Sequence, residues 1–81
     1  MTQLTINTFL NFTAQELNVP IQNLHEQITF KNIPTWSSLN ALLYLARIHN
    51  ETGVLLSSTE LSELNTLRDL FDQIISKQHG V

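Results

Sequence analysis

Leu39 through Ile48 is the most apolar helical stretch of the chain, and it holds more apolar side chains than one helix face can use. On a 3.6-residue period Ala41, Tyr44, Leu45, Ile48 and Thr52 make one apolar face. Leu39, Leu42, Leu43 and Ala46 make a second beside it, and Asn40, Arg47, Asn50 and Glu51 fill a narrow polar wedge. A segment of this kind belongs at the centre of a small bundle, where several neighbours can surround it. One face is enough for a core. Burying a leucine is worth about 1.5 to 3 kcal/mol, so three left side by side in water forgo several kcal/mol unless something covers them. Two outcomes are open. Either the long loop or the short third helix packs the second face, or that face is a partner surface or a ligand tunnel.

The stretch opens at Pro34-Thr35-Trp36-Ser37-Ser38-Leu39. Pro34 biases Ile33 to an extended backbone and brings the chain to a helix start. Ser37 and Ser38 are both ordinary N-cap residues. A serine hydroxyl in the first turn also lies beside unpaired backbone N–H groups and the positive end of the helix dipole, so a phosphate attached to Ser38 would be stabilised there. The helix is expected to run from Ser38 to about Thr52, with Gly53 supplying the left-handed residue that ends it.

The flanking segments are helical too. Ile6, Phe9, Leu10, Thr13 and Leu17 recur at spacings of three and four, which predicts a first helix over about Leu4 to Leu17, with Phe12 and Glu16 at its margin. Asn18 interrupts the pattern, and Pro20 suits the first turn of a short helical piece ending near Leu24. From His25 to Ser37 no period holds. Ile28, Phe30 and Ile33 alternate with polar residues and should tuck into the core of a long loop, because a lone strand there would have no partner. Val54-Leu55-Leu56 reads as extended, and Ser57, Ser58 and Thr59 offer caps for a brief helix carrying Glu60, Leu61 and Leu64. Asn65 or Thr66 caps the last helix, Thr66 with Asp69 having capping-box spacing, and Leu67, Leu70, Phe71, Ile74 and Ile75 make its stripe. Residues from about Lys77 are expected to fray.

Composition narrows the function. Residues 1–81 are expected to form one domain, near the length at which a single core suffices without staples. No cysteine is present, which removes disulfides and thiolate metal sites. The longest unbroken apolar run, which contains Leu42 to Ala46, is too short to span a bilayer, so no membrane insertion is expected. Met1-Thr2-Gln3-Leu4 lacks the basic region and apolar block of a secretory signal, and a cytoplasmic location is expected. The formal charge is -3, with Lys31, Arg47, Arg68 and Lys77 scattered, so no basic footprint for nucleic acid forms. His25, His49 and His79 stand at no metal-ligand spacing, and no metal site is expected. Ser38 and His49 on one helix would lie roughly 16 Å apart along its axis, which excludes a catalytic pairing of the two.

Helix, long loop, Ser-Leu opening a central helix, Gly-Val, a short helix and Asn-Thr-Leu opening a last helix together resemble the acyl carrier protein family. In that family the first helix closes on Leu-Gly-Val, the second opens on Asp-Ser-Leu and closes on Phe-Gly-Ile or its equivalents, and the last opens on Ile-Thr-Thr-Val. Here Leu17-Asn18-Val19, Ser37-Ser38-Leu39, Thr52-Gly53-Val54 and Leu64-Asn65-Thr66-Leu67 fall at the family's spacings without a gap from about Leu4 to Ile75. The resemblance implies an all-α, four-helix bundle of acyl-carrier type: three main helices, one short helix and a long loop between the first and second. It implies that Ser38 carries 4'-phosphopantetheine, attached by a phosphopantetheinyl transferase from coenzyme A. The protein would then be a carrier and not an enzyme, with an acyl chain held as a thioester on that arm and presented to acyl-loading and ketosynthase-type enzymes. Trp36, Leu39, Leu42, Leu43, Ala46 and Arg47 are the expected partner-recognition residues, and a monomer is expected.

Two departures from the family pattern shape the expectation further. Ser37 stands where the family usually has Asp. Asn40, Leu43, His49 and Asn50 occupy positions where its second helix is rich in carboxylates, and Arg47 is added. Partners are therefore expected to read an apolar patch more than a charged one, in a dedicated lipid or polyketide-like pathway. The alternative is an unmodified, carrier-shaped interaction domain that binds a protein through the apolar face of its second helix, with Ser38 serving only as a cap.

Overall fold

Thr5 and Thr8 exchange caps at the start of the first helix: each hydroxyl accepts from the other's backbone N–H, at 3.2 and 3.0 Å. The computed structural model describes residues 4–79, and in it α1 runs from Ile6 to Leu17. Phe9, Thr13, Ala14 and Leu17 are its buried residues. Asn18 then turns left-handed at φ 56°, a conformation its short polar side chain tolerates, and its N–H closes the helix onto Ala14 and Gln15.

The chain continues through 3₁₀ turns at Ile21–Asn23 and Phe30–Asn32 before α2 (Ser38–Thr52), α3 (Ser58–Glu63) and α4 (Leu67–His79). The fold is all-α, with no strand among the described residues. Phe30 and Ile33 are buried, as their place in the pattern requires, and Ile28 packs against the core from its edge. The connection does find a β-type partner, however. Thr29 makes a single antiparallel bridge to Thr66. Around it Phe30 N donates to Asn65 O at 3.2 Å, Leu67 N to Ile28 O at 3.0 Å and Arg68 N to Glu26 O at 2.7 Å. The exposed backbone at the opening of α4 thus completes what a lone extended segment lacks.

Gly53, at φ 76°, ends α2 after Thr52. Ser57 and Glu60 form a capping box at α3, and Thr66 with Asp69 does the same at α4, where the Asp69 carboxylate also accepts from Asn65 N. Leu67, Leu70 and Ile74 of α4 are fully buried, and Phe71 lies 5.6 Å from Phe9 of α1 between ring centroids. Lys77, from which fraying is expected, lies within α4. The helix continues to His79, Lys77 pairs with Glu60 at 2.7 Å, and Gln78 donates to Thr52 O at 3.2 Å. Gly80 and Val81 lie outside the described residues.

Candidate functional site

Thr35 fixes where the central helix begins. Its hydroxyl donates to Leu17 O at the end of α1, while its own carbonyl accepts from Asn40 Nδ2 at 2.6 Å. Between these two bonds the chain is held at a set distance from α1 and at a set register on α2. Ser37 is the N-cap, with Oγ accepting from Asn40 N at 3.1 Å. Ser38, the first helical residue, is exposed, and its hydroxyl enters no hydrogen bond among the described residues. The two serines, equivalent as caps in the sequence, are separated by register: one is spent on the helix and the other is left over.

Ser38 stands on the edge of a groove of about 530 Å³ between α2, α3 and the long connection. Trp36, Ala41, Leu42, Leu45 and Leu61 supply its apolar walls, and Ser37, Ser58, Ser62 and Lys31 its polar rim. Trp36 is half-buried, 5.0 Å from Phe30 and edge-on to Tyr44 at 6.1 Å between centroids, so it anchors the connection while showing a side to the groove. Lys31 is the charged member of that rim, and its ammonium donates to Ser62 O of α3 at 2.6 Å.

Outward from the groove, Leu39, Leu42 and Leu43 are 66%, 60% and 55% exposed, and Ala46 is exposed one turn further along the same face. Neither the connection nor α3 packs this surface. Leu42 belongs to both groove and face, so the two are continuous. Of the other expected recognition residues, Arg47 is turned to Glu16 of α1 at 3.2 Å, with half of its side chain still exposed. The inner face goes to the core as the pattern requires, with Tyr44, Leu45, Ile48 and Thr52 buried. The Tyr44 hydroxyl shares a 2.6 Å hydrogen bond with Thr13; burial pushes its proton affinity well up, against the opposing effect of that bond, and the phenol stays neutral.

From Pro34 to Ala46 the sequence contains no Asp, Glu, Lys, Arg or His. Ser38 therefore sits in an uncharged segment, with Lys31 the charged member of its groove. Lys31, Ser58 and Ser62 escape sequence reading because nothing local marks them; only the meeting of the connection with α3 does. The charge-free run was available in the sequence as a signal. Comparison of the chain with protein-family models and with curated proteins returns no match.

The geometry thus has to speak for itself. Ser38 and His49 fall on one uninterrupted helix, so their separation of roughly 16 Å along its axis stands. Among the described residues no three His, Asp or Glu side chains gather in a way that would hold a metal ion. Among the described residues no helix is long and apolar enough to cross a membrane. What the site offers chemically is a free primary hydroxyl on a rigid element, beside a groove with greasy walls and a hydroxyl-rich rim.

Proposed function

We propose that the chain is a carrier protein of acyl-carrier type whose Ser38 bears a 4'-phosphopantetheine arm. The observation that carries this reading is the division of labour between Ser37, which caps α2, and Ser38, whose exposed hydroxyl has no structural task. Ser38 Oγ would displace adenosine 3',5'-bisphosphate from coenzyme A at phosphorus, in the active site of a separate phosphopantetheinyl transferase, forming one P–O bond as the pyrophosphate P–O bond breaks. The groove suits a linear group that alternates amides with methylenes. Ser58, Ser62 and Lys31 can meet its polar atoms, and Trp36, Leu45 and Leu61 its apolar ones. When bound, the arm supplies a terminal thiol that holds an acyl chain as a thioester; the protein supplies position and recognition.

Leu39, Leu42 and Leu43, joined to the groove through Leu42, form the surface that a modifying or loading enzyme must cross to reach Ser38. With no charge between Pro34 and Ala46, docking on that surface is expected to depend little on ionic strength, which points to dedicated partners in a lipid or polyketide-like pathway. Intact mass after incubation with coenzyme A, magnesium and several phosphopantetheinyl transferases tests the reading. A gain of one arm that Ser38→Ala abolishes is the expected result, with a loading rate that changes little between low and high salt. No gain with any transferase would leave an unmodified helical interaction domain.

A further inference from the structure

Lys31 stands apart from the other cations of the chain. Among the described residues Arg47 faces Glu16, Arg68 faces Glu26 and Asp72, and Lys77 faces Glu60, so three of the four Lys and Arg side chains already have a carboxylate. Lys31 has neutral partners. Its ammonium donates to the Ser62 carbonyl at 2.6 Å and rests 5.7 Å from the centroid of the Phe30 ring. Every other residue lining the groove beside Ser38 is uncharged, so the groove has a net positive character that nothing in it answers.

We infer that Lys31 is the counter-ion of the phosphodiester on Ser38, its ammonium leaving the Ser62 carbonyl for a non-bridging phosphate oxygen. This rests on the carrier reading. An anionic oxygen attracts an ammonium through a full charge, where a carbonyl offers only a dipole, and the groove between them is walled by apolar side chains that weaken screening. The exchange has a structural consequence. The bond to Ser62 ties the long connection to the last turn of α3, so taking Lys31 away unties the two walls of the groove. Attachment at Ser38 is thereby reported to α3, on the opposite side of the groove.

The test is ³¹P and ¹H–¹⁵N NMR on the whole chain before and after a transferase has put the arm on Ser38, for wild type, Lys31→Arg and Lys31→Met. Lys31 is exposed, and thermal unfolding of the unmodified variants checks that they fold. Wild type and Lys31→Arg are expected to share one phosphodiester ³¹P position, with Lys31→Met displaced from it. Attachment is expected to shift the Ser62 and Glu63 amides further in wild type than in Lys31→Met, where only the arm's own contact with the groove remains. Raising NaCl from about 0.1 to about 1 M, which shortens the Debye length from about 10 to about 3 Å, should move the wild-type ³¹P signal toward that of Lys31→Met. One common ³¹P position for all three proteins, with the α3 amides shifted alike in wild type and Lys31→Met on attachment, overturns the inference and leaves the carrier reading standing. Failure of Ser38 to accept an arm removes both.

Discussion

α2 and α4 are the two longest helices of the protein, and they spend their residues differently. α4 is used up by the fold. Leu67, Leu70 and Ile74 are fully buried, Arg68 pairs with Glu26 and Asp72, Lys77 with Glu60, and the side chain of Asp69 caps the helix it belongs to. α2 buries a comparable inner face and still has three leucines and a serine hydroxyl facing outward. A helix with nothing to spare is scaffold. Residues that remain after packing, capping and ion pairing are satisfied are where a binding or attachment role has to be sought.

Substitutions can break that contrast, and the largest effect should come from the saturated helix. Leu70→Ala removes a fully buried side chain and is expected to cost about 2 to 5 kcal/mol, whereas Leu42→Ala, 60% exposed, should stay within about 0.5 kcal/mol in the same urea titration. Equal costs for the two would mean that α2 has no spare face. Next comes Tyr44→Phe on the inner side of α2. It strands the buried Thr13 hydroxyl, and a loss of about 1 to 3 kcal/mol is expected in thermal unfolding. Smaller still is Ser37→Ala, which removes the cap at a cost of about 0.5 to 2 kcal/mol while leaving the Ser38 hydroxyl available; retention of the mass gain in this variant separates cap from attachment point.

The mildest effect should be the acid sensitivity of the region around α4. Glu60 is held down to about 2, first by its hydrogen bond with Lys77 and then by the Ser57 N–H. The Thr66 and Asn65 N–H groups lower Asp69 as well. A carboxylate whose folded-state pKa is depressed contributes stability that is complete above its ordinary value and is lost as pH falls toward the depressed one. Stability is therefore expected to fall between about pH 4.5 and about pH 2, and less steeply in Glu60→Gln. An unchanged slope in that variant would deny Glu60 its share.

Most of this architecture could be read from local pattern because local chemistry imposes it. Asn18 and Gly53 end helices because the left-handed turn favours them, and Thr66 with Asp69 opens α4 through a three-residue reciprocity visible in the sequence. Ala14 is harder to see, since its small side chain lies off the main stripe of α1 and is buried only by what packs beside it. Contacts across long chain separations left no local mark. Lys77 and Gln78 stay helical because Glu60 and Thr52 hold them, and the pairing of Thr29 with Thr66 joins two segments neither of which looks like a strand. The site divides in the same way. The second apolar face follows from periodicity, but that it stays open is a matter of packing, which of two adjacent serines caps the helix is a matter of register, and Lys31 acquires its place only from Ser62.

That junction between the connection and the opening of α4 also sets an order of events during synthesis. Glu26, Ile28 and Phe30 are stitched to residues 65–68, so the approach to Ser38 cannot settle until the chain that becomes α4 has left the ribosome. An enzyme that recognises Ser38 in its folded setting would thus depend on residues 65–68, far along the chain from the serine it modifies.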